Sequence, residues 1–189
     1  FLNKEGADIE NCYAYPLRTG GHYFFVLTLP ESDRTLVYDI EENRWHEWQS
    51  DASGGMDYVA ATQYNGYPYL QHESSGFIYR VDPEIYMDGD DDIIVTLQTA
   101  PVDYDTLNRK YFRSFELYGD LDDSESEFTL EYSDDNYRTW STPRVFTNIF
   151  RMILRQLGQA RRRAWRVKHQ NNRPMRLEGF EINYQEGSY

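Results

Sequence analysis

The stretch from His22 to Trp48, HYFFVLTLPESDRTLVYDIEENRWHEW, decides the fold class. His22 to Leu29 is rich in β-formers and follows the turn residues Thr19, Gly20 and Gly21. Pro30-Glu31-Ser32-Asp33 then turns the chain. From Thr35 to Ile40, the residues Leu36, Tyr38 and Ile40 alternate with Thr35, Val37 and Asp39. Glu41 to Arg44 turns again, and Trp45-His46-Glu47-Trp48 makes a third strand. A two-residue period broken by short polar turns predicts antiparallel strands joined in a meander.

Downstream the pattern recurs weakly. Asp57 to Tyr64, the turn Asn65-Gly66, Tyr67 to Gln71, the turn Ser74-Ser75-Gly76 and Phe77 to Val81 predict a second meander. Leu36-Val37-Tyr38-Asp39 and Ile78-Tyr79-Arg80-Val81-Asp82 look alike, each closing on an Asp before a turn. Units of this kind at a fixed period are the mark of β-propeller blades. Residues 1–88 are therefore expected to be propeller-blade-like meanders, a fragment of a larger propeller. The acidic run from Asp82 to Asp92 is expected to be a solvated linker. Beyond it, Ile93 to Thr99, Phe112 to Tyr118, Glu127 to Tyr132 and Thr139 to Phe146 read as strands, with a polar hairpin loop from Asp120 to Ser126. Residues 93–189 are expected to form a β-sandwich, which makes the whole chain all-β. Arg151 to His169 has some helical spacing, but Gly158 sits in its middle. Arg163, Trp165 and Val167 alternate there with Ala164, Arg166 and Lys168, so two strands joined near Gly158 are favoured. Met175 to Tyr184 predicts the last strand, with a bulge at Glu178-Gly179.

Composition limits the function classes. The chain has 189 residues, 40% hydrophobic and 16% aromatic, enough to build a core. No apolar run approaches the ~20 residues of a membrane helix, so no membrane partner is expected. The start at Phe1 shows no basic segment followed by an apolar one; no signal peptide is expected, and the chain reads as a piece of a longer polypeptide. The single Cys12 excludes an internal disulfide and a multi-cysteine zinc site, and is expected to be a small buried hydrophobe. Net charge is −13 and unevenly spread: residues 1–135 carry −21 and residues 136–189 carry +8. An acidic front repels phosphate, and the polarity suits one copy's back facing another's front.

Few motifs carry chemistry. Asp88-Gly89-Asp90-Asp91-Asp92 lacks calcium-loop spacing. His22, His46, His72 and His169 share no metal-ligand spacing. No nucleophile elbow and no phosphate-cradling glycine loop is present. Nothing among the 32 acids selects a glycosidase pair. No catalytic residue, metal or cofactor is expected. Ser133-Asp134-Asp135-Asn136-Tyr137-Arg138-Thr139-Trp140 is similar to an Asp-box, the hairpin Ser-x-Asp-x-Gly-x-Thr-Trp. In it Ser133, Asp135, Thr139 and Trp140 are expected to clamp a turn, with the Trp packed beneath. Tyr137 stands where the motif has Gly, which puts a left-handed turn in question. The strongest compositional signal is basic. Arg151, Arg155, Arg161, Arg162, Arg163, Arg166, Lys168, Arg173 and Arg176 fall within 26 residues, with Trp165 among them. Such a stretch can bind nucleic acid, or pair with acids of the same or a neighbouring chain; pairing is favoured. Arg161, Arg162, Arg163, Arg166, Lys168, Arg173 and Arg176 are the candidate assembly-interface residues.

Two stretches near the C-terminus, SDDNYRTWSTPR and LGQARRRAWRVKHQNNRPMRLEGFEINY, resemble the end of tailed-phage proteins of the packaged-DNA stabilisation or tail hub (nozzle) family. RTLVYDIEENRWHEWQS resembles their propeller blades. The resemblance implies a non-enzymatic structural protein of the phage virion tail, made in the host cytoplasm. It would form a sixfold homo-oligomeric ring below the portal and adaptor, touch other tail proteins, extend the channel and retain packaged DNA. The alternative from a different class is a carbohydrate-binding or glycan-processing β module of a tail or cell-surface protein. The aromatics, the Asp-box-like hairpin and the sandwich support that alternative.

Overall fold

In the computed structural model, residues 11–50, 54–120, 127–146, 151–170 and 172–187 are described. They form antiparallel sheets almost throughout, so the protein is all-β. The chain divides into two compact units, Phe1–Ile94 and Val95–Tyr189.

The first unit is built on the meander read from His22 to Trp48. Strands β1 (Tyr13–Thr19), β2 (His22–Leu29), β3 (Arg34–Asp39) and β4 (Arg44–Trp48) pair in sequence order. β1 escaped the sequence reading because Pro16 and Arg18 break its apolar rhythm. The β1–β2 turn is Gly20-Gly21, both at positive φ (59° and 88°), the geometry that matches the twist of a tight hairpin. Pro30–Ser32 makes one 3-10 turn, closed by Asp33 in the left-handed region. The second meander is β5 (Tyr58–Tyr64), β6 (Tyr67–His72) and β7 (Ile78–Arg80), with Asn65-Gly66 as its hairpin turn. Tyr15, Leu17, Val26 and Val37 from the first sheet and Tyr58 and Leu70 from the second share one core.

The acidic stretch is not a bare linker. β8 (Met87–Asp88) and β9 (Asp91–Asp92) pair as a small hairpin across Gly89. Asp88 accepts hydrogen bonds from Ser50 Oγ and Tyr58 OH. These two buried-side partners tie the acid run to the first unit and account for its departure from the linker reading. Burial, then the Asp88 carboxylate, pushes the Tyr58 phenol well above its ordinary pKa.

The second unit has two sheets about one core. One contains β10 (Ile94–Gln98), β16 (Ala164–Gln170), β12 (Phe128–Ser133) and β13 (Arg144–Val145), in that spatial order. The other centres on β11 (Lys110–Asp120). It pairs with β14 (Met152–Arg155) and β15 (Gln159–Ala160) and with β17 (Arg176–Glu186). Phe115 and Leu117 of β11, Leu130 of β12, Met152 of β14 and Trp165 and Val167 of β16 meet in that core, a sandwich-like arrangement. The break at Gly158 is a strand break, not a helix. The predicted bulge is present: Tyr118 faces Gly179 and Gly119 faces Leu177, so Glu178 has no opposite number. A second irregularity at Arg113 switches the parity of β11, so Phe112 and Phe115 both point inward.

Two expectations change, and a third falls outside the described residues. The strand predicted over Thr139 to Phe146 shrinks to Arg144–Val145. There the Ser141 hydroxyl, not a backbone carbonyl, accepts from the Tyr132 amide, and Pro143 has no amide to give a ladder. Cys12 is half-exposed rather than buried. Apart from Asp120, which ends β11, the loop expected to Ser126 lies in residues 121–126, outside the described residues.

Candidate assembly surfaces

The Asp-box-like hairpin forms where it was read. The Thr139 amide donates to Asp135 Oδ1 at 2.9 Å and Thr139 Oγ1 to Oδ2 at 2.6 Å. Ser133 Oγ donates to Asp135 Oδ1 at 2.8 Å and accepts from the Tyr137 amide at 2.9 Å. The bonds onto Asp135 favour its ionised carboxyl, those from Thr139 most of all, and the Asp135 pKa is driven down to about 2. Asn136 and Tyr137 both take positive φ, 58° and 71°. The turn is therefore left-handed although Tyr replaces Gly, at a cost of about 1–2 kcal/mol for a residue with a Cβ. Two contacts offset it: Tyr137 OH donates to the Thr99 carbonyl at 3.1 Å, and its ring stacks on Trp140 with centroids 6.0 Å apart. Trp140 is only half-buried, and the Arg166 guanidinium lies 3.8 Å over its ring. The motif clamps the turn.

The basic stretch separates by strand parity. Arg163 shares a face with Trp165 and Val167 and is 1% exposed. It forks onto Asp134 at 2.6 and 2.7 Å and donates to the Leu157 carbonyl. Its guanidinium sits 3.9 Å from the Tyr132 ring centre and 4.4 Å from that of Phe112. Arg163 is thus corrected from an interface candidate to a core residue. The alternate positions point outward to Glu131, which pairs with Arg166 at 2.8 Å and Lys168 at 3.2 Å. Burial alone would raise the pKa of Glu131; the two cations outweigh it, and the net shift is down. Arg151 pairs with Glu116 at 2.8 Å. Arg161, Arg162 and Arg176 are exposed and Arg173 is half-exposed. Arg162 donates to the Pro101 carbonyl at 3.2 Å.

Sorting charge by folded unit also revises the polarity. The first unit holds 18 acids and 5 bases; the second holds 14 of each. The entire net charge of −13 therefore belongs to the first unit. The bases that look unopposed in sequence meet acids of their own unit, such as Glu116, Glu131 and Asp134.

A surface that the sequence did not single out is the second face of the β1–β4 sheet. Register places Pro16 beside Phe25, Phe25 beside Tyr38 and Tyr38 beside Trp45, with Leu27 beside Leu36. Tyr23 and Phe25 are each 42% exposed, Ile40 is 56% and Trp45 is 58%. Polar residues only fringe this face: Arg18 lies over Tyr23, and Arg34 forks onto Glu47 at 2.7 and 3.0 Å. Both faces of one sheet are apolar, and one of them already contributes to the core shared with β5–β7. The uniform β-former run of β2 carried this signal, because a strand with one solvated face alternates with polar residues and this one does not.

Among the described residues, one grouping has metal-ligating chemistry: His22, Asp39 and Glu42, with ligand atoms within 4.8 Å of one another. Asp39 Oδ1 accepts from the amides of Glu41 and Glu42, and Oδ2 meets His22 Nδ1 at 2.7 Å. Its carboxylate is thereby committed to pinning the β3–β4 turn. The fold and these surfaces define a two-unit all-β protein with one sheet apolar on both sides. Set against protein-family models and curated proteins, the chain matches none.

Proposed function

We propose that this protein is a structural component of a phage virion tail, of the tail hub, nozzle or DNA-stabilisation type, which assembles as a homo-oligomeric ring below the portal and retains packaged DNA. The observation that carries the reading is the β1–β4 sheet with two apolar faces. A contiguous aromatic face rimmed by charge is a protein-contact surface. Its occupant in this reading is a neighbouring copy, because blade-like meanders stack face to face and a ring repeats one heterologous contact until it closes. The first unit supplies a second property. Its charge of −13 repels the phosphate backbone, so DNA moves past without a counterion-release gain.

The test is the oligomeric state of this protein, by light scattering and electron microscopy, alone and with a portal complex. The reading expects a closed ring, its channel lined by the acidic unit, and expects Trp45→Glu to leave folded single subunits. A protein that stays monomeric with a portal, or a ring whose lumen is lined by Arg161, Arg162 and Arg176, overturns it.

A further inference from the structure

On the second unit, a hollow of about 590 Å³ opens between β11 and the β14–β15 connection. Tyr111, Arg113, Arg155, Gln156 and Gln159 supply its polar and aromatic lining, with the backbone of Gly158. No carboxylate lines it. Among the described residues, neither Arg113 nor Arg155 is in an ion pair. Two guanidinium groups without a close ion-pair partner therefore share one concave site, and Glu116 acts on Arg155 only from outside its lining.

The wall is held rigidly. The β14–β15 connection leaves and rejoins β11 through Gln156 and Gly158, both at positive φ. Three backbone hydrogen bonds clamp it: Gln156 N to the Arg113 carbonyl (3.1 Å), Leu157 N to the Phe112 carbonyl (3.1 Å) and Phe112 N to the Gly158 carbonyl (2.9 Å). Leu157 is fully buried, and the buried Arg163 donates to its carbonyl from within. Arg144 donates to the carbonyls of Arg155 and Gln156 at 2.8 and 3.3 Å. Arg113 is steadied by Gln185, which uses one of its five donors. The backbone wall and the Arg113 side chain are thus pre-positioned, which lowers the ordering cost of binding.

We infer that this hollow is a binding site for an acidic saccharide. The two arginines supply forked donors for a carboxylate or sulfate. The Gln156 and Gln159 amides both donate and accept, as sugar hydroxyls require; phosphate and sulfate groups only accept. Tyr111, 49% exposed, offers a ring for the apolar face of a pyranose. The proposal does not depend on ring assembly, and the surfaces involved are different.

Titration calorimetry of the full chain with an oligoglucuronate, and with its uncharged oligoglucose counterpart, tests it. The expected result is binding of the acidic oligomer at least 10-fold tighter than the neutral one. Arg155→Gln and Gln159→Ala should each weaken it 10-fold or more while the melting temperature is unchanged. Arg161→Gln, outside the hollow, should leave it intact. Equal affinity for the two oligomers, no binding of either, or a short oligonucleotide binding more tightly than the oligoglucuronate overturns the proposal. Ring formation is read separately and is unaffected by the outcome.

Discussion

Arg163 is the most constrained side chain in the second unit, since it joins the Asp-box-like hairpin through Asp134 to the β14–β15 connection through Leu157. Arg163→Ala leaves a void among Phe112, Tyr132 and Trp165 and orphans the Leu157 carbonyl. Its unfolding free energy, from urea titration, should fall by about 3 kcal/mol. Arg163→Met refills the space but leaves Asp134 and the Leu157 carbonyl unanswered, so it should recover only the cavity part of that loss. His169 is a second test at this scale. It is 3% exposed, lies 4.7 Å from the Phe128 ring, and its Nε2 has no hydrogen-bond partner among the described residues. Burial lowers its pKa below the ordinary 6.5. The unfolded chain therefore takes up a proton first as pH falls. The stability that His169 contributes is complete above about pH 6.5 and drains away below it. Melting temperatures at pH 8 and pH 5.5 should differ less in His169→Phe than in the parent. Asp135 acts lower, with its stabilisation present above the usual carboxylate range and lost toward pH 2.

At the scale of elements, the long β11–β17 pairing depends on a close approach at Gly119, where an added Cβ would strike the Arg176 carbonyl oxygen. Gly119→Ala should cost about 2 kcal/mol, typical of forced overpacking, and hydrogen exchange should show β17 amides losing protection before those of β12 and β16. A variant exchanging uniformly would mean that β17 opens only with the whole unit. Several elements were legible because local chemistry decided them. Gly20-Gly21 and Asn65-Gly66 mark hairpins, and Glu178-Gly179 marks the bulge. β1 and the β8–β9 hairpin were not legible. Each is held by partners remote in sequence: β2 for the first, and Ser50 and Tyr58 for the second.

At the scale of the whole molecule, the described residues form two cores that share no residue, one in each unit. Residues 95–189 expressed alone should give a dispersed amide spectrum and a cooperative melt, because the core of Phe115, Leu130, Trp165 and their neighbours lies wholly inside them. A collapsed spectrum would show that the second unit needs the first. The first unit carries the unbalanced charge and the open apolar face, which makes it the half whose behaviour should depend on neighbours and on salt.

The sequence by itself determined the class of structure. Two-residue alternation and turn chemistry are local, so they are written in consecutive residues and hold wherever the strands finally lie. It also determined that Arg163 shares a strand face with Trp165 and Val167, although composition alone counted it among the surface bases. Only the tertiary structure decided which charges are answered. Glu116, Glu131 and Asp134 reach Arg151, Arg166 and Arg163 across 29 to 35 residues. It likewise decided that the second face of β1–β4 stands open and that Arg113 and Arg155 meet across a hollow. Pairing and exposure depend on which strands become neighbours, and strand order is a property of the packed chain, not of any stretch within it.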